Sequence, residues 1–570
     1  MANQAFPQFK PASGADLILR GGDVWAGLAP DLPAKATALA ISGGVIVGVG
    51  DDDAVAPWQG TGTQVIELGG RRVVPGLIDS HLHAIRGAST WVDELDWTGV
   101  DTLSEGLASV RAAAAERGPG AWIEVLGGWY PAQFADDPRM PTPAELTAAA
   151  PNNPVFVHPL YGYDDHAVLN RRGLEVLGWA GPMDDPAQGT LDRDATGAPN
   201  GIVRGLPMYA MIAARAGTPG LAREAESSRA FFERLAAVGL TGVVDAGGLG
   251  MSPDKYRAVR ALWRLGRLPI RVRTNLCPVN RGSEPAEIDE WERMLDPGLG
   301  DDLLSVLGLG EVVHFGCHDW EGMSPFPIDD ADFALFVESL KKSARLRWPV
   351  TIHAILATSV AKVIDGIELA AQDASIEGLR WSLQHVECIS EHDLQRVKAL
   401  GLGLGIQGRL SQKMNVVADR WGEETARGLL PLGRIVDLGI PFGAGTDGSR
   451  AASYHPWQSL WFLVSGRNRS GGPERHAANR LDRAQALHAY TRGSAWFSFE
   501  EDRRGFLAPG ALGDLAVLDR DYFAVPQDEI PSVRSVLTLV GGKVVHRSDE
   551  FSGLELQCHA QRPGPAPYEV

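Results

Sequence analysis

Cysteine is scarce in this 570-residue chain, which contains only four. They are Cys277, Cys317, Cys388 and Cys558, which are widely spaced and form no Cys-x-x-Cys pair. A framework of disulfide bonds and a zinc site built on thiolates are therefore not expected.

Long apolar runs and an excess of basic residues are also lacking. No stretch reaches the roughly 20 consecutive apolar residues of a membrane-spanning helix. Residues 1–16 are polar and contain proline, unlike a secretion signal, so we expect a cytoplasmic protein. Acidic residues outnumber basic ones by 71 to 53, for a net charge of −18. This balance argues against general binding to nucleic acid or to an anionic membrane, and we predict neither partner.

The two ends of the chain share a pattern of short strands and glycine turns. Residues 38–41 precede Gly43-Gly44, and residues 533–540 precede Gly541-Gly542. Apolar runs separated by paired glycines are typical of hairpins. We therefore expect residues 1–72 and 496–555 to form one small β-sandwich domain, followed by a C-terminal tail over residues 556–570.

The middle of the chain alternates strands and helices, which predicts an α/β fold with parallel strands. Eight strands are expected, at residues 73–79, 241–245, 270–275, 304–313, 349–353, 380–385, 401–407 and 440–445. Eight such units predict a (β/α)₈ TIM-like barrel over residues 73–495. An insertion at about residues 88–240 separates the first two strands, and we expect it to cover the active site.

Histidines and an aspartate follow several of these predicted strands. His81 and His83 are two positions apart at a strand end, so their side chains point the same way. His353 ends the fifth strand, His385 ends the sixth and Asp447 follows the eighth. Any one of them taken alone could be an ordinary polar residue bonded to backbone. Their repetition at matching strand ends predicts a divalent-metal site.

An acidic residue, Glu311, lies within the apolar run of the predicted fourth strand. An unpaired buried carboxylate is very costly, so it needs a partner. One interpretation is that Glu311 bridges two metal ions. The alternative is a salt bridge or a protonated acid at the barrel rim.

The chain resembles the amidohydrolase superfamily, and in particular the amidohydrolase-3 branch that includes N-substituted formamide deformylases. The residues that carry the resemblance are the run Val-Pro-Gly-Leu-Ile-Asp-Ser-His-Leu-His at 74–83, the strands of His353 and His385, Gly445-Thr446-Asp447, and the closing segment 505–519. The resemblance implies that His81 and His83 bind one metal ion and that His353 and His385 bind a second. It also implies that Asp447 binds metal and shuttles protons.

Two positions depart from the pattern of this branch. Many members carry a carboxylated lysine on the fourth strand, where this chain has Glu311. The branch often shows His-Ala-Ile-Gly-Asp after strand five, whereas residues 353–357 here are His-Ala-Ile-Leu-Ala. The sequence therefore allows either one or two zinc ions per subunit. Because this chain lacks the aspartate of that motif, we assign no substrate contact to it.

The predicted chemistry is metal-dependent hydrolysis of an amide or related C–N bond. A zinc-like ion lowers the pKa of its bound water from 15.7 to about 7 and so provides hydroxide at neutral pH. Asp447 is expected to act as general base and then general acid, and His385 to help stabilise the oxyanion. The alternatives are a deaminase or other hydrolase on the same scaffold, and a non-catalytic binding protein.

The substrate is expected to be a small molecule, and sixteen tryptophans are compatible with a hydrophobic or aromatic one. Packing or a surface role is the alternative for each pocket candidate. The candidates for substrate binding are Trp129, His158, Tyr163, His314 and Gln407. The resemblance also favours a homodimer.

Overall fold

The computed structural model describes residues 14–28, 32, 35–162, 166–217, 219–319 and 324–562. Its centre consists of two four-stranded parallel sheets. The first contains Leu77–Leu82, Leu240–Asp245, Arg271–Leu276 and Leu304–Leu309, and the second contains Thr351–Ala354, Ser382–His385, Gly403–Gln407 and Phe442–Gly445. All eight expected strands are present, and the α/β fold is confirmed.

Backbone hydrogen bonds join the two parallel sheets at both edges. On one side, Leu309 N donates to Pro349 O at 3.0 Å. On the other, Asp447 N donates to His81 O at 2.9 Å. The second bond brings the end of the last central strand beside the first, so Asp447 and His81 are neighbours although they are far apart in sequence.

Helices follow most central strands, as the sequence predicts. Apart from the helices within residues 103–213, those between the first and fifth strands are Ala84–Ala88, Leu221–Ala237, Arg257–Arg264, Glu284–Glu292 and Asp330–Arg345. The later ones are Ala357–Asp373, Glu391–Leu400, Leu410–Trp421, Glu423–Gly428, Leu432–Leu438, Pro456–Ser465, Arg483–Ala489 and Arg492–Ala495. Within the described part of the chain, no helix has the length and apolarity needed to cross a bilayer.

Two predicted strands have a boundary more than two residues from the observed one. The run at 73–79 is divided at Gly76: Arg72–Pro75 pairs antiparallel with Leu515–Leu518, and only Leu77–Leu82 enters the central sheet. A Cβ atom on Gly76 would overlap the side chain of Thr241, so a glycine is required at this close approach. The fourth strand ends at Leu309 instead of residue 313, which places Glu311 just beyond it.

The two ends of the chain form two further sheets. One contains Leu17–Arg20, Ala38–Ser42, Val45–Gly50 and Gln64–Glu67, with a short helix at Asp52–Val55, and the other contains Asp23–Val24, Arg72–Pro75, Leu515–Leu518, Ser535–Val540 and Lys543–Arg547. Leu19 and Ile41 of the first sheet share one apolar cluster with Leu515 and Leu537 of the second. Burial of this shared apolar surface stabilises the contact between the sheets.

A buried network of charges lies where the chain ends meet the central strands. Arg271 donates to Asp514 at 2.7 Å, and Arg273 donates to Glu500 at 2.7 Å. Arg504 contacts both carboxylates, at 2.9 Å from Glu500 and 3.2 Å from Asp514. Each buried carboxylate is therefore paired, as burial of charge requires.

The insertion carries its own five-stranded sheet. Its strands are Ile123–Leu126, Val155–His158, Ala167–Leu169, Thr190–Arg193 and Pro199–Arg204, and its helices are Leu103–Arg117, Pro143–Ala149, Arg171–Leu177 and Leu206–Ala213. Arg450, three residues after Asp447, reaches into it. The Arg450 guanidinium pairs with the Glu94 carboxylate and donates to Leu126 O at 2.6 Å.

Candidate metal centre

Glu311 lies at the centre of four buried histidines. Its Oε1 is 3.3 Å from His83 Nε2, and its Oε2 is 3.3 Å from His81 Nε2. Oε2 is also 3.4 Å from His353 Nδ1 and 3.6 Å from His385 Nε2. The structure thus brings together all the histidines predicted from the strand ends.

These side chains form two groups that could each hold an ion. One group is His81, His83 and Glu311, and the other is Glu311, His353 and His385. Within each group the ligand atoms lie within 4.8 Å of one another. Glu311 belongs to both groups.

Asp447 borders the first group. Its Oδ1 is 3.3 Å from His83 Nε2 and 3.6 Å from His81 Nε2. Its other oxygen, Oδ2, is 3.3 Å from Arg409 Nη1. One carboxylate oxygen thus faces the histidines while the other is held by a buried arginine.

Hydrogen bonds fix the rings of His81 and His83. The Nδ1 of His81 is 3.1 Å from Gln384 Oε1, and the Nδ1 of His83 is 3.1 Å from Gly247 O. A carbonyl oxygen can only accept, so each Nδ1 carries the proton and each Nε2 keeps a lone pair. Both lone pairs then point toward Glu311 and Asp447.

Several polar atoms of the cluster suit a cation. Among the described residues, His81 Nε2, both ring nitrogens of His385 and Asp447 Oδ1 are buried without a hydrogen-bond partner. Buried polar atoms are rarely left without a partner. Histidine nitrogens and carboxylate oxygens are ligands that zinc accepts, so the residues present fit a divalent ion.

Electrostatics support the same conclusion. Burial lowers the pKa of His81, but the Asp447 and Glu311 carboxylates outweigh it and raise that pKa to about 10. The pKa of His353 is also raised to about 10, against the effect of burial, by Asp319 and Glu311. The carboxylates therefore attract positive charge into this space, and a bound cation would supply it in place of the protons.

Three residues at this site have left-handed backbone conformations. The φ angles are 75° at His385, 46° at Val386 and 60° at Asp447. This region is uncommon for residues other than glycine, and least favourable for a β-branched residue such as valine. Such conformations concentrate at functional sites, where surrounding structure holds them.

Asp79 supports the site although it is not among the predicted site residues. Asp79 accepts from Thr446 Oγ1 at 2.6 Å and from His81 N at 3.0 Å. Burial raises the pKa of Asp79 to about 7, although these hydrogen bonds act in the opposite direction. The sequence feature that could have identified Asp79 is its position two residues before His81 in the strand motif.

Gln407 contacts the site indirectly. It was predicted to bind substrate, but its Nε2 donates to Gln384 Oε1 at 3.0 Å, the same oxygen that faces His81 Nδ1. Gln407 thus supports the orientation of His81. Substrate binding by Gln407 stays a prediction.

The remaining pocket candidates make their contacts elsewhere. Trp129 is fully buried, stacks on Phe134 and donates to His158 O at 3.0 Å. The His158 ring stacks between the rings of Tyr161 and Tyr209.

His314 lies between two carboxylates, at 2.8 Å from Glu284 and 2.9 Å from Asp332. Both of its ring nitrogens thus face ion-pair partners. Tyr163 lies outside the described residues. Substrate binding by these four candidates stays a prediction.

Comparison with known proteins places these features in context. The amidohydrolase-3 profile, described as "Amidohydrolase family", matches residues 64–546. The N-substituted formamide deformylase of Arthrobacter pascens is 26% identical over 531 residues, which is 89% of this chain and 94% of that protein.

Solved structures share the fold. An uncharacterised metal-dependent hydrolase from Pyrococcus horikoshii has a TM-score of 0.65 at 22% identity, covering 90% of this chain and 99% of that one. The atrazine chlorohydrolase of Arthrobacter aurescens, complexed with zinc, has a TM-score of 0.51 at 16% identity, covering 93% and 95%. At these identities the likeness shows the fold alone.

Proposed function

Because this chain belongs to the amidohydrolase family, we propose that it hydrolyses an amide or related C–N bond of a small molecule, using bound divalent ions. The resemblance drawn from the sequence motifs is confirmed by the family match over residues 64–546. The prediction of an amidohydrolase enzyme is confirmed with it.

The position of Glu311 carries the proposal. One carboxylate lies 3.3 to 3.6 Å from four histidines, with His83 near Oε1 and the other three near Oε2. We propose that His81 and His83 hold one zinc ion, that His353 and His385 hold a second, and that Glu311 bridges them. Ions bound there would polarise the scissile carbonyl and lower the pKa of a bound water.

Asp447 is proposed as the general base and general acid. Burial raises its pKa, but His81 and His83 outweigh that effect and hold the pKa well below its usual range. The carboxylate is therefore ionised and available to accept a proton at Oδ1, the oxygen that faces the histidines. It would then return the proton to the leaving nitrogen.

His385 is proposed to assist on the carbonyl side. Its Nδ1 is buried, and no described residue bonds to it. A protonated Nδ1 could donate to the oxygen that becomes negative in the transition state while Nε2 faces Glu311.

The finer features of the fold are proposed with the function. We propose that the two parallel sheets close into one (β/α)₈ barrel, which the hydrogen bonds of Leu309 and Asp447 across the two edges support. We propose a β-sandwich from the two chain-end sheets, which share an apolar cluster. The domain limits, the cytoplasmic location and the homodimer stay predictions.

The function is tested by metal analysis of the purified protein and a screen of N-formyl and N-acyl amines for released amine. The proposal expects divalent ions and amine release that a chelator abolishes and added zinc restores. Release of ammonia from amino-substituted rings alone would favour the deaminase alternative. A protein that binds no metal at all would contradict the proposal.

The role of Asp447 is tested by Asp447→Asn. The variant is expected to retain metal but lose most turnover, because an amide cannot accept the proton. Near-normal turnover with metal still bound would make the assignment wrong.

A further inference from the structure

We infer that Asp319 is a positioning residue that presents Nδ1 of His353 to the metal centre, and so sets the affinity of the ion that His353 ligates. The inference rests on the proposed metal site, but its test measures ion binding and not turnover. Asp319 belongs to the segment after the fourth central strand that also carries Glu311.

The Asp319 carboxylate is fixed by the chain that directly follows His353. It is fully buried and accepts from Ile355 N at 3.1 Å and from Leu356 N at 2.8 Å. Its Oδ1 lies 3.1 Å from His353 Nε2. Ile355 N thus contacts both carboxylate oxygens and Leu356 N holds Oδ2, while Oδ1 also faces the histidine ring.

The face of the same ring is covered by the preceding residue. The ring centroids of His318 and His353 are 3.9 Å apart, with 33° between the planes. Consecutive residues therefore contact His353 on its face and on its Nε2 edge. Little freedom remains for the ring to rotate away from Glu311.

The identity of the partner atom decides which nitrogen can bind metal. Both ring nitrogens of His353 face carboxylates, which only accept hydrogen bonds: Nε2 faces Asp319 at 3.1 Å and Nδ1 faces Glu311. An ion bound between Nδ1 and Glu311 would replace the proton there, so the proton that His353 keeps is the one on Nε2, beside Asp319. The lone pair is then on Nδ1, which is 3.4 Å from Glu311 Oε2. His81 and His83 are oriented the opposite way, because oxygens of Gln384 and Gly247 face their Nδ1 atoms.

Asp319→Asn separates this role from a purely structural one. The asparagine oxygen can still accept from Leu356 N, so the backbone contact is kept. Its NH₂ group would donate to His353 Nε2 and favour the proton on Nδ1, which removes the lone pair that binds metal. Loss of such a partner typically weakens metal binding by about 10–100-fold.

The experiment is a zinc titration of the metal-free protein against a competing chelator. We expect Asp319→Asn to lower the affinity for the ion at His353 by about 10–100-fold. The affinity for the ion at His81 and His83 should stay within about twofold of the wild-type value. His353→Gln provides the reference, because removal of the histidine should lower the affinity for the same ion. If the wild type binds a single ion, ligated by His353, the affinity for that ion should fall in both variants.

Glu287→Gln is the matched control. Glu287 also accepts from two backbone amides, Val279 N at 2.9 Å and Asn280 N at 2.8 Å, and its change should leave both zinc affinities unaltered. Thermal unfolding of each metal-free variant checks that the fold is kept.

The inference would be overturned if Asp319→Asn bound every ion with wild-type affinity. It would also be overturned if the affinity for both ions fell equally. Failure of the proposed function is a different outcome. In that case the ions bind as expected but no amine is released.

Discussion

Arg409 links the carboxylates of Glu387 and Asp447. Its Nε donates to Glu387 Oε1 at 2.7 Å, and its Nη1 lies 3.3 Å from Asp447 Oδ2. Glu387 follows the sixth central strand and Asp447 follows the eighth. Arg409 itself follows the seventh strand, Gly403–Gln407, so its guanidinium joins the ends of three neighbouring strands and leaves Asp447 Oδ1 facing the histidines.

Arg409→Lys should lower kcat by about tenfold to a hundredfold, with KM changing little. Lysine keeps the charge but cannot span both carboxylates, and a hydrogen bond to a charged group contributes about 1.5–3 kcal/mol. Steady-state kinetics on an amide found in the screen measure the effect. Metal content, measured in parallel, should not change.

Arg475→Lys is the control for loss of a buried guanidinium. Arg475 is also fully buried and donates to Leu430 O at 2.8 Å, with no described bond to the metal centre. It should keep normal kcat in the folded fraction. An equal loss of kcat in both variants would assign the effect to packing and not to Asp447.

Glu311→Gln should reduce the retention of both ions. The neutral amide offers one acceptor oxygen, whereas the carboxylate oxygens now lie beside all four histidines. The measurement is elemental analysis after gel filtration in metal-free buffer. Glu284→Gln, which changes a buried carboxylate beside His314, should retain wild-type metal. Full retention of both ions in Glu311→Gln would contradict the bridging role.

The buried charge network predicts sensitivity to acid. Arg504 and Arg273 outweigh burial and hold the pKa of Glu500 well below its usual 4.5. Its stabilising contribution is therefore present above about pH 4.5 and is lost as the pH falls through the lowered value. Glu500→Gln should cost about 3–5 kcal/mol at neutral pH and should flatten the acid dependence, as measured by urea unfolding across pH. An unchanged dependence in the variant would contradict this assignment.

Glu124 predicts the opposite pH dependence. Burial, and next the neighbouring Glu94, raise the pKa of Glu124 to about 8. Between about pH 4.5 and 8 the folded protein holds a proton that the unfolded chain releases, so stability falls as pH rises. Glu124→Gln removes this loss, and we expect stabilisation on the order of 4 kcal/mol at pH 8 and almost none near pH 4.5. Equal stability of the two proteins at pH 8 would show that Glu124 is already ionised.

The sequence was sufficient for the central strands and for the side chains that gather at the candidate metal centre. Most of these strands are apolar runs that end at or just before a polar residue or a glycine, and the proposed ligands His353, His385 and Asp447 lie at or close to strand ends. Local pattern was enough because parallel strands all end at the same edge.

Features that depend on distant pairing could not be predicted. The division at Gly76 follows from pairing of Arg72–Pro75 with Leu515–Leu518, about 440 residues later. Gln407 has no sequence feature that distinguishes a support of His81 from a substrate contact. Asp319 likewise becomes informative only when its distance to His353 is known.

The pairing of Arg450 with Glu94 has a consequence for engineering and for divergence among relatives. The segment that carries Asp447 is tied to the insertion by a salt bridge and by the bond to Leu126 O. The insertion is therefore not an interchangeable module. An insertion taken from a relative must contain an acidic residue that pairs with Arg450. A shortened insertion without Glu94 and Leu126 would remove the contacts that hold the segment after Asp447.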